Sequence, residues 1–183
     1  RFNVNWNKLR RMAISLPLAI LAACLMIGVS ELGYIQTTQL LTNMTRANDI
    51  RTSINVLHRD MLNAETGLRG YLLTNNQEYL EPYYSGNKRI YSTLDEIREK
   101  IEPTRVNMDI YAPLTRNINR KMAEMDLSLK LFQEGNSDAL KFLMFTDMGN
   151  NDMERIRSLS NSLDTNILQE MQALQQELQS SLT

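Results

Sequence analysis

The chain has almost none of the residues from which metal and catalytic sites are usually built. Its 183 residues include one histidine, His58, and one cysteine, Cys24. His58 has no second His, no Cys and no carboxylate cluster at ligand spacing, which excludes the common metal-site patterns. Glycine-rich phosphate loops, nucleophile elbows and paired-acid motifs are missing too, so neither catalysis nor a cofactor is expected within these residues. A single cysteine supplies no disulfide framework, which leaves stability to helix packing. No run reads as a β-strand. The first 30 residues hold Arg1, Lys8, Arg10 and Arg11 but no acid, so all 21 acids lie beyond them, against 16 basic residues, a net of −5. An acidic body without a basic stripe argues against nucleic acid as a partner.

What is present is helical patterning. Residues 12–30 (MAISLPLAILAACLMIGVS) form an uncharged run. At about 1.5 Å per residue it spans about 28 Å, close to the thickness of a bilayer's hydrocarbon core. A cleaved signal peptide would have a shorter apolar region and a small-x-small cleavage site, so a retained transmembrane helix is expected, with Pro17 tolerated inside it. The positive-inside bias places residues 1–11 in the cytoplasm and residues 31–183 outside it. The chain begins on Arg rather than Met, and is expected to be a fragment.

Beyond the run, Ala47, Ile50, Ile54, Leu57, Met61, Ala64, Leu68 and Leu72 recur at steps of three and four, predicting a first helix over residues 32–73. Asn75 and Glu78 look like a capping box for a second helix. Its seam is Leu80, Tyr83, Ile90, Leu94, Ile97 and Ile101, with a restart near Pro82 and an end near Lys100, before Pro103. A third helix to about Glu134 carries Val106, Ile110, Leu114, Ile118, Met122, Met125, Leu129 and Phe132, with a kink at Pro113 and a stop at Gly135. A fourth, capped by Asn136 or Ser137, carries Leu140, Leu143, Ile156, Leu159, Leu163, Ile167, Leu174, Leu178 and Leu182, with Gly149 as its weak point. Most of the eleven methionines fall on these seams and read as core filling. Short connections between four helices predict an all-α, antiparallel up-down-up-down bundle whose long first and fourth helices project toward the membrane. An even number of helices returns the chain to the membrane, so the sequence stops before an expected second transmembrane helix.

The least ordinary stretch is residues 60–83, DMLNAETGLRGYLLTNNQEYLEPY. A helical glycine costs about 1 kcal/mol relative to alanine, so Gly67 and Gly70 need a packing reason. Asp60, Ala64, Gly67 and Tyr71 fall on one stripe whose small members allow a neighbouring backbone to approach closely. Glu65 and Arg69 form an i, i+4 pair in the favourable orientation. Taken alone, this describes the tip of a bundle.

The same stretch resembles the CHASE3 family. The likeness rests on Asp60, on residues 64–74 (AETGLRGYLLT), on Tyr79, Leu80, Pro82 and Tyr83, and on Met153, Ile156 and Arg157. The resemblance implies an extracytoplasmic four-helix sensor domain between two membrane helices of a bacterial receptor. The expected function is the input module of a sensor histidine kinase; the alternatives are a chemoreceptor or diguanylate cyclase input, or an anchored assembly bundle. Expected partners are a second copy of the chain, membrane lipid, and a small-molecule or protein ligand. The candidate signalling residues are Asp60, Glu65, Thr66, Arg69, Tyr71, Tyr79 and Tyr83, and the candidate packing residues are Ala64, Gly67 and Gly70.

Overall fold

The computed structural model describes residues 6–101, 105–138, 140–141 and 148–181, with side chains over residues 15–101, 105–138, 140–141 and 151–180. The described residues contain helices and no strands. Helix α1, Trp6–Thr74, is a single 69-residue helix that includes the apolar run, so the expected transmembrane segment and first bundle helix are continuous. Within it an 18-residue window reaches a mean hydropathy of 2.0 with none of its residues buried inside the chain. This helix is long and apolar enough to cross a membrane.

The turn after α1 differs from the expected capping box by one residue. Asn75 adopts φ +54°, a left-handed conformation that asparagine tolerates better than most residues. The cap is Asn76, whose side-chain oxygen accepts from the Glu78 backbone N–H at 3.0 Å. A short 3₁₀ turn, Gln77–Leu80, then leads into α2, Glu81–Lys100. Pro82 falls in the first turn of α2, where its missing N–H costs no hydrogen bond, and this explains the restart there.

Helix α3, Arg105–Gln133, runs through Pro113 without interruption. It ends at Gly135, φ +72°, where the Asn136 N–H bonds the Leu131 carbonyl at 3.0 Å and the Gly135 N–H bonds that of Phe132 at 3.1 Å. Helical backbone resumes at residues 137–138 and 140–141, and the last helix, α4, is Met148–Ser181, with Gly149 inside it. Leu143 and Leu182, placed on the fourth seam by the sequence, lie outside the described residues.

The four helices pack as an antiparallel bundle. Helix α1 lies against α2 and α4, and α3 lies against α4. Helix α3 reaches α2 through the Tyr111 hydroxyl, which donates to the Leu94 carbonyl at 2.9 Å. The core is one continuous cluster of the expected seams, from Ala47 and Ile50 at one end to Leu68, Leu80 and Leu129 at the other. Met61, Met122, Met125 and Met153 are buried in it. Val106 is a correction: it is exposed, and its neighbour Asn107 is buried instead, because that face of α3 meets the polar residues Asn166 and Glu170 of α4.

Helices α1 and α4 outrun the other two, as their lengths predict. The end of α2 is marked by Lys100 opposite Asp49, and the start of α3 by Asn107 opposite Glu170. Below that level α1 and α4 continue as a pair that buries Leu40. On this stretch of α1 Thr38, Thr42 and Thr45, and just above it Thr52, each donate a hydroxyl hydrogen bond to the carbonyl four residues back, at 2.9 to 3.0 Å.

At the opposite end, the 3₁₀ turn lies directly on α1. A Cβ built on Gly67 would stand 2.6 Å from the Tyr79 carbonyl oxygen, and one on Gly70 would stand 2.7 Å from the Tyr79 ring. The first obstacle is backbone and cannot rotate away. Gly67→Ala should therefore lose about 2 kcal/mol, although alanine is the better helix former. Gly33→Ala, with nothing within 4 Å, should be neutral or stabilising by up to about 1 kcal/mol. Chemical unfolding of both variants tests this, and wild-type stability in Gly67→Ala would refute the close approach.

Candidate functional site

The hairpin end of the bundle holds the candidate residues of α1, and their side chains divide into those facing in and those facing out. Three of the seven candidates turn inward. Asp60 is 3% exposed and accepts from Arg89 of α2 on both oxygens, at 3.0 and 3.1 Å. Those bonds raise the Arg89 guanidinium above its ordinary pKa. Tyr71 is buried and packs edge-on against Phe132, ring centres 5.2 Å apart. Tyr83 is buried and donates its hydroxyl to Asp126 of α3. Burial first, and then that hydrogen bond, push the Tyr83 phenol well above its ordinary pKa.

Glu65 is the pivot of the outward group. It accepts from Arg69 at 3.1 Å, and its Oε1 also lies 3.5 Å from the Lys121 ammonium of α3. Lys121 is only 4% exposed and has Glu124 as a second carboxylate at 3.6 Å. A buried ammonium is tolerated only when paired, so Glu65 joins α1 to the helix diagonally across the bundle. Arg69 and Thr66 are exposed. Tyr79 is half exposed, its ring lying over Gly70. Ala64 is fully buried beside Gly86 of α2, whose added Cβ would stand 3.5 Å away.

The structure thus joins Glu65 and Arg69 but sends Asp60, Tyr71 and Tyr83 to separate partners within the bundle. Of the residues these candidates meet, Phe132 was a predicted seam residue, whereas Arg89, Asp126 and the Glu65 partner Lys121 were not singled out from the sequence. For Lys121 a signal existed: it lies three residues after Ile118 and four before Met125, which is a seam position. Grooves of about 390 to 590 Å3 lie away from the hairpin, along α3 and α4 and between the lower parts of α1 and α4. Among the described residues no group of three or more His, Cys, Asp and Glu side chains could hold a metal ion. His58 is half buried, and its Nε2 is shielded and has no hydrogen-bond partner among the described residues.

Comparison with known proteins gives one positive result. The sequence profile of the CHASE3 domain matches residues 41–177, three quarters of the chain. No curated protein and no solved structure matches.

Two outcomes follow from the buried polar contacts. Glu65→Leu alone removes one counter-charge of Lys121 and should cost about 2 kcal/mol, whereas Glu65→Leu with Lys121→Met should recover most or all of that loss. Equal losses in the single and double variants, measured by thermal unfolding, would rule out the coupling. The raised Tyr83 pKa means that the folded state holds the phenolic proton more tightly than the unfolded state does. Its contribution is complete below about pH 10, the unfolded value, and fades as pH rises toward the folded value. Tyr83→Phe should flatten the fall of melting temperature above about pH 10, leaving the smaller part due to Tyr91, whose phenol is also raised by burial and by Asp126.

Proposed function

Because the chain belongs to the CHASE3 family, the extracytoplasmic sensor domains of bacterial signalling receptors such as histidine kinases and cyclases, we propose that residues 31–183 are the input module of a two-component sensor histidine kinase. In this reading residues 12–30 cross the inner membrane, residues 1–11 lie in the cytoplasm, a second membrane helix follows α4, and the working unit is a homodimer. The module itself performs no catalysis. A chemoreceptor or cyclase output would use the same input geometry.

The observation that carries the proposal is the continuity of α1. One helix of 69 residues runs from the apolar segment to the hairpin, where Asp60 and Glu65 tie it to α2 and α3. Along the way Arg51 ties it to α4, donating to both oxygens of Asp164 at 2.9 and 3.3 Å. A stimulus that favours one packing of α1 on α4 over another would shift the two by about 1 to 2 Å, and the helix continues unbroken from there into the apolar run. A second reading, an anchored assembly bundle, draws support from the inward pairing of Asp60, Tyr71 and Tyr83.

Disulfide crosslinking separates the two. In the membrane-embedded receptor that carries this chain, with Cys24→Ser, the pair Arg51→Cys and Asp164→Cys should crosslink at severalfold different rates in the resting and activated states. The disulfide should also hold the output in one state. Unchanged rates under full activation, together with an output indifferent to the crosslink, would favour the assembly bundle and reject the sensor.

A further inference from the structure

Helices α3 and α4 leave a groove of about 590 Å3 lined by Pro113, Arg116, Asn117, Arg120, Arg155, Ser158 and Leu159. Its volume is in the range of small-ligand sites. Proline, asparagine and serine keep the floor low, and the arginines wall it. No Asp or Glu lines it, although the chain beyond residue 30 carries five more acids than bases.

The three arginines are not equivalent. Arg120 is fixed in place: it donates to both oxygens of Asp152 and, at 2.8 Å, to the Asn117 side-chain oxygen. Asn117 is held in turn by its own amide, which donates to the Pro113 carbonyl at 2.7 Å. Asp152 therefore accounts for one positive charge. Arg116 and Arg155 have no carboxylate partner among the described residues, and both are exposed. Two unpaired guanidinium groups beside a third repel one another, so the fold gains nothing from their charge. A guanidinium presents a planar fork of donors that matches a carboxylate or phosphate on two oxygens at once.

We propose that this groove binds a small multivalent oxyanion, an organic polycarboxylate or phosphate, with Arg116 and Arg155 as the two gripping forks, Arg120 as the fixed wall, and Ser158 contributing a hydroxyl. Binding stands on the groove alone; its role as the stimulus rests on the sensor reading above. The hairpin then serves to hold the bundle rather than to contact the ligand. An anion drawn between Arg116 and Arg155 pulls α3 and α4 together, and α4 is the helix on which α1 packs.

The test is isothermal titration of the full chain in lipid nanodiscs, with citrate in one arm and inorganic phosphate in the other. At least one should bind, more weakly as salt rises, and the stronger arm assigns the ligand to organic acids or to free phosphate. Arg116→Gln and Arg155→Gln should each weaken binding by about tenfold or more without lowering the melting temperature, since neither side chain has a partner to lose among the described residues. Arg105→Gln, at the far end of α3, should bind as wild type does. Absence of binding by both anions at millimolar concentration, or equal binding in the groove variants, would overturn the site. Either result leaves the sensor reading untouched, because the crosslinking experiment decides that separately.

Discussion

Register is the constraint on which this bundle depends. The seam of α1 repeats every seven residues, Ala47 to Ile54 to Met61 to Leu68, so sliding the helix by one heptad, about 10 Å, would again set apolar residues against apolar residues. Hydrophobic burial drives the helices together without strongly preferring one such alignment. The polar pairs between helices do prefer one. Asp60 with Arg89 joins α1 to α2, Arg51 with Asp164 joins α1 to α4, Arg120 with Asp152 joins α3 to α4, and Tyr83 with Asp126 joins α2 to α3. A slip of α1 by a heptad would put Ser53 or Gly67 where Arg89 now finds Asp60.

These pairs do not act with equal force. In the Asp60–Arg89 and Asp152–Arg120 pairs the carboxylate is enclosed but the guanidinium is exposed, so solvent screens part of the attraction and can reach the cation if the pair breaks. Lys121 differs because it is enclosed. In a slipped alignment it would face His58 or Leu72 in place of Glu65, and a buried ammonium deprived of a counter-charge is strongly unfavourable. Its value is therefore in excluding wrong alignments more than in stabilising the right one. The hairpin adds a steric stop, since only Gly67 admits the Tyr79 carbonyl at so short a distance.

How much of this could be read in the sequence follows from the same distinction. Periodicity is local, so most of the seams of the first three helices, the middle of the fourth from Ile156 to Ile167, the restart at Pro82 and the stop at Gly135 were legible. The two glycines also announced a close approach, though not that Tyr79 would be the neighbour. Partners across helices depend on register, a tertiary property, and so Arg89 and Asp126 carried no local mark. Val106 misled because an apolar residue at seam spacing outranks the asparagine beside it until the polar face of α4 is known. The cap shifted from Asn75 to Asn76 because either asparagine can take either role, and only the backbone decides which one turns left-handed. The arginine groove was invisible for a related reason: Arg116 and Arg120 share a face of α3, but Arg155 joins them only once α4 is laid alongside.

The threonines on the lower part of α1 change what its length implies. A hydroxyl that bonds the carbonyl four residues back competes with the helix's own hydrogen bonding and tends to bend it. Four such residues lie within the fifteen positions from Thr38 to Thr52, part of it below the level where α2 and α3 end. The helix is thus braced on several sides at the hairpin, whereas where it leaves the bundle it has fewer neighbours and carries side chains that favour bending. A rod with that distribution of stiffness does not only transmit thrust along its axis. On the sensor reading proposed above, it would also convert a small displacement above into a change of curvature below, making tilt of the apolar segment a second quantity in which the state of the bundle is written.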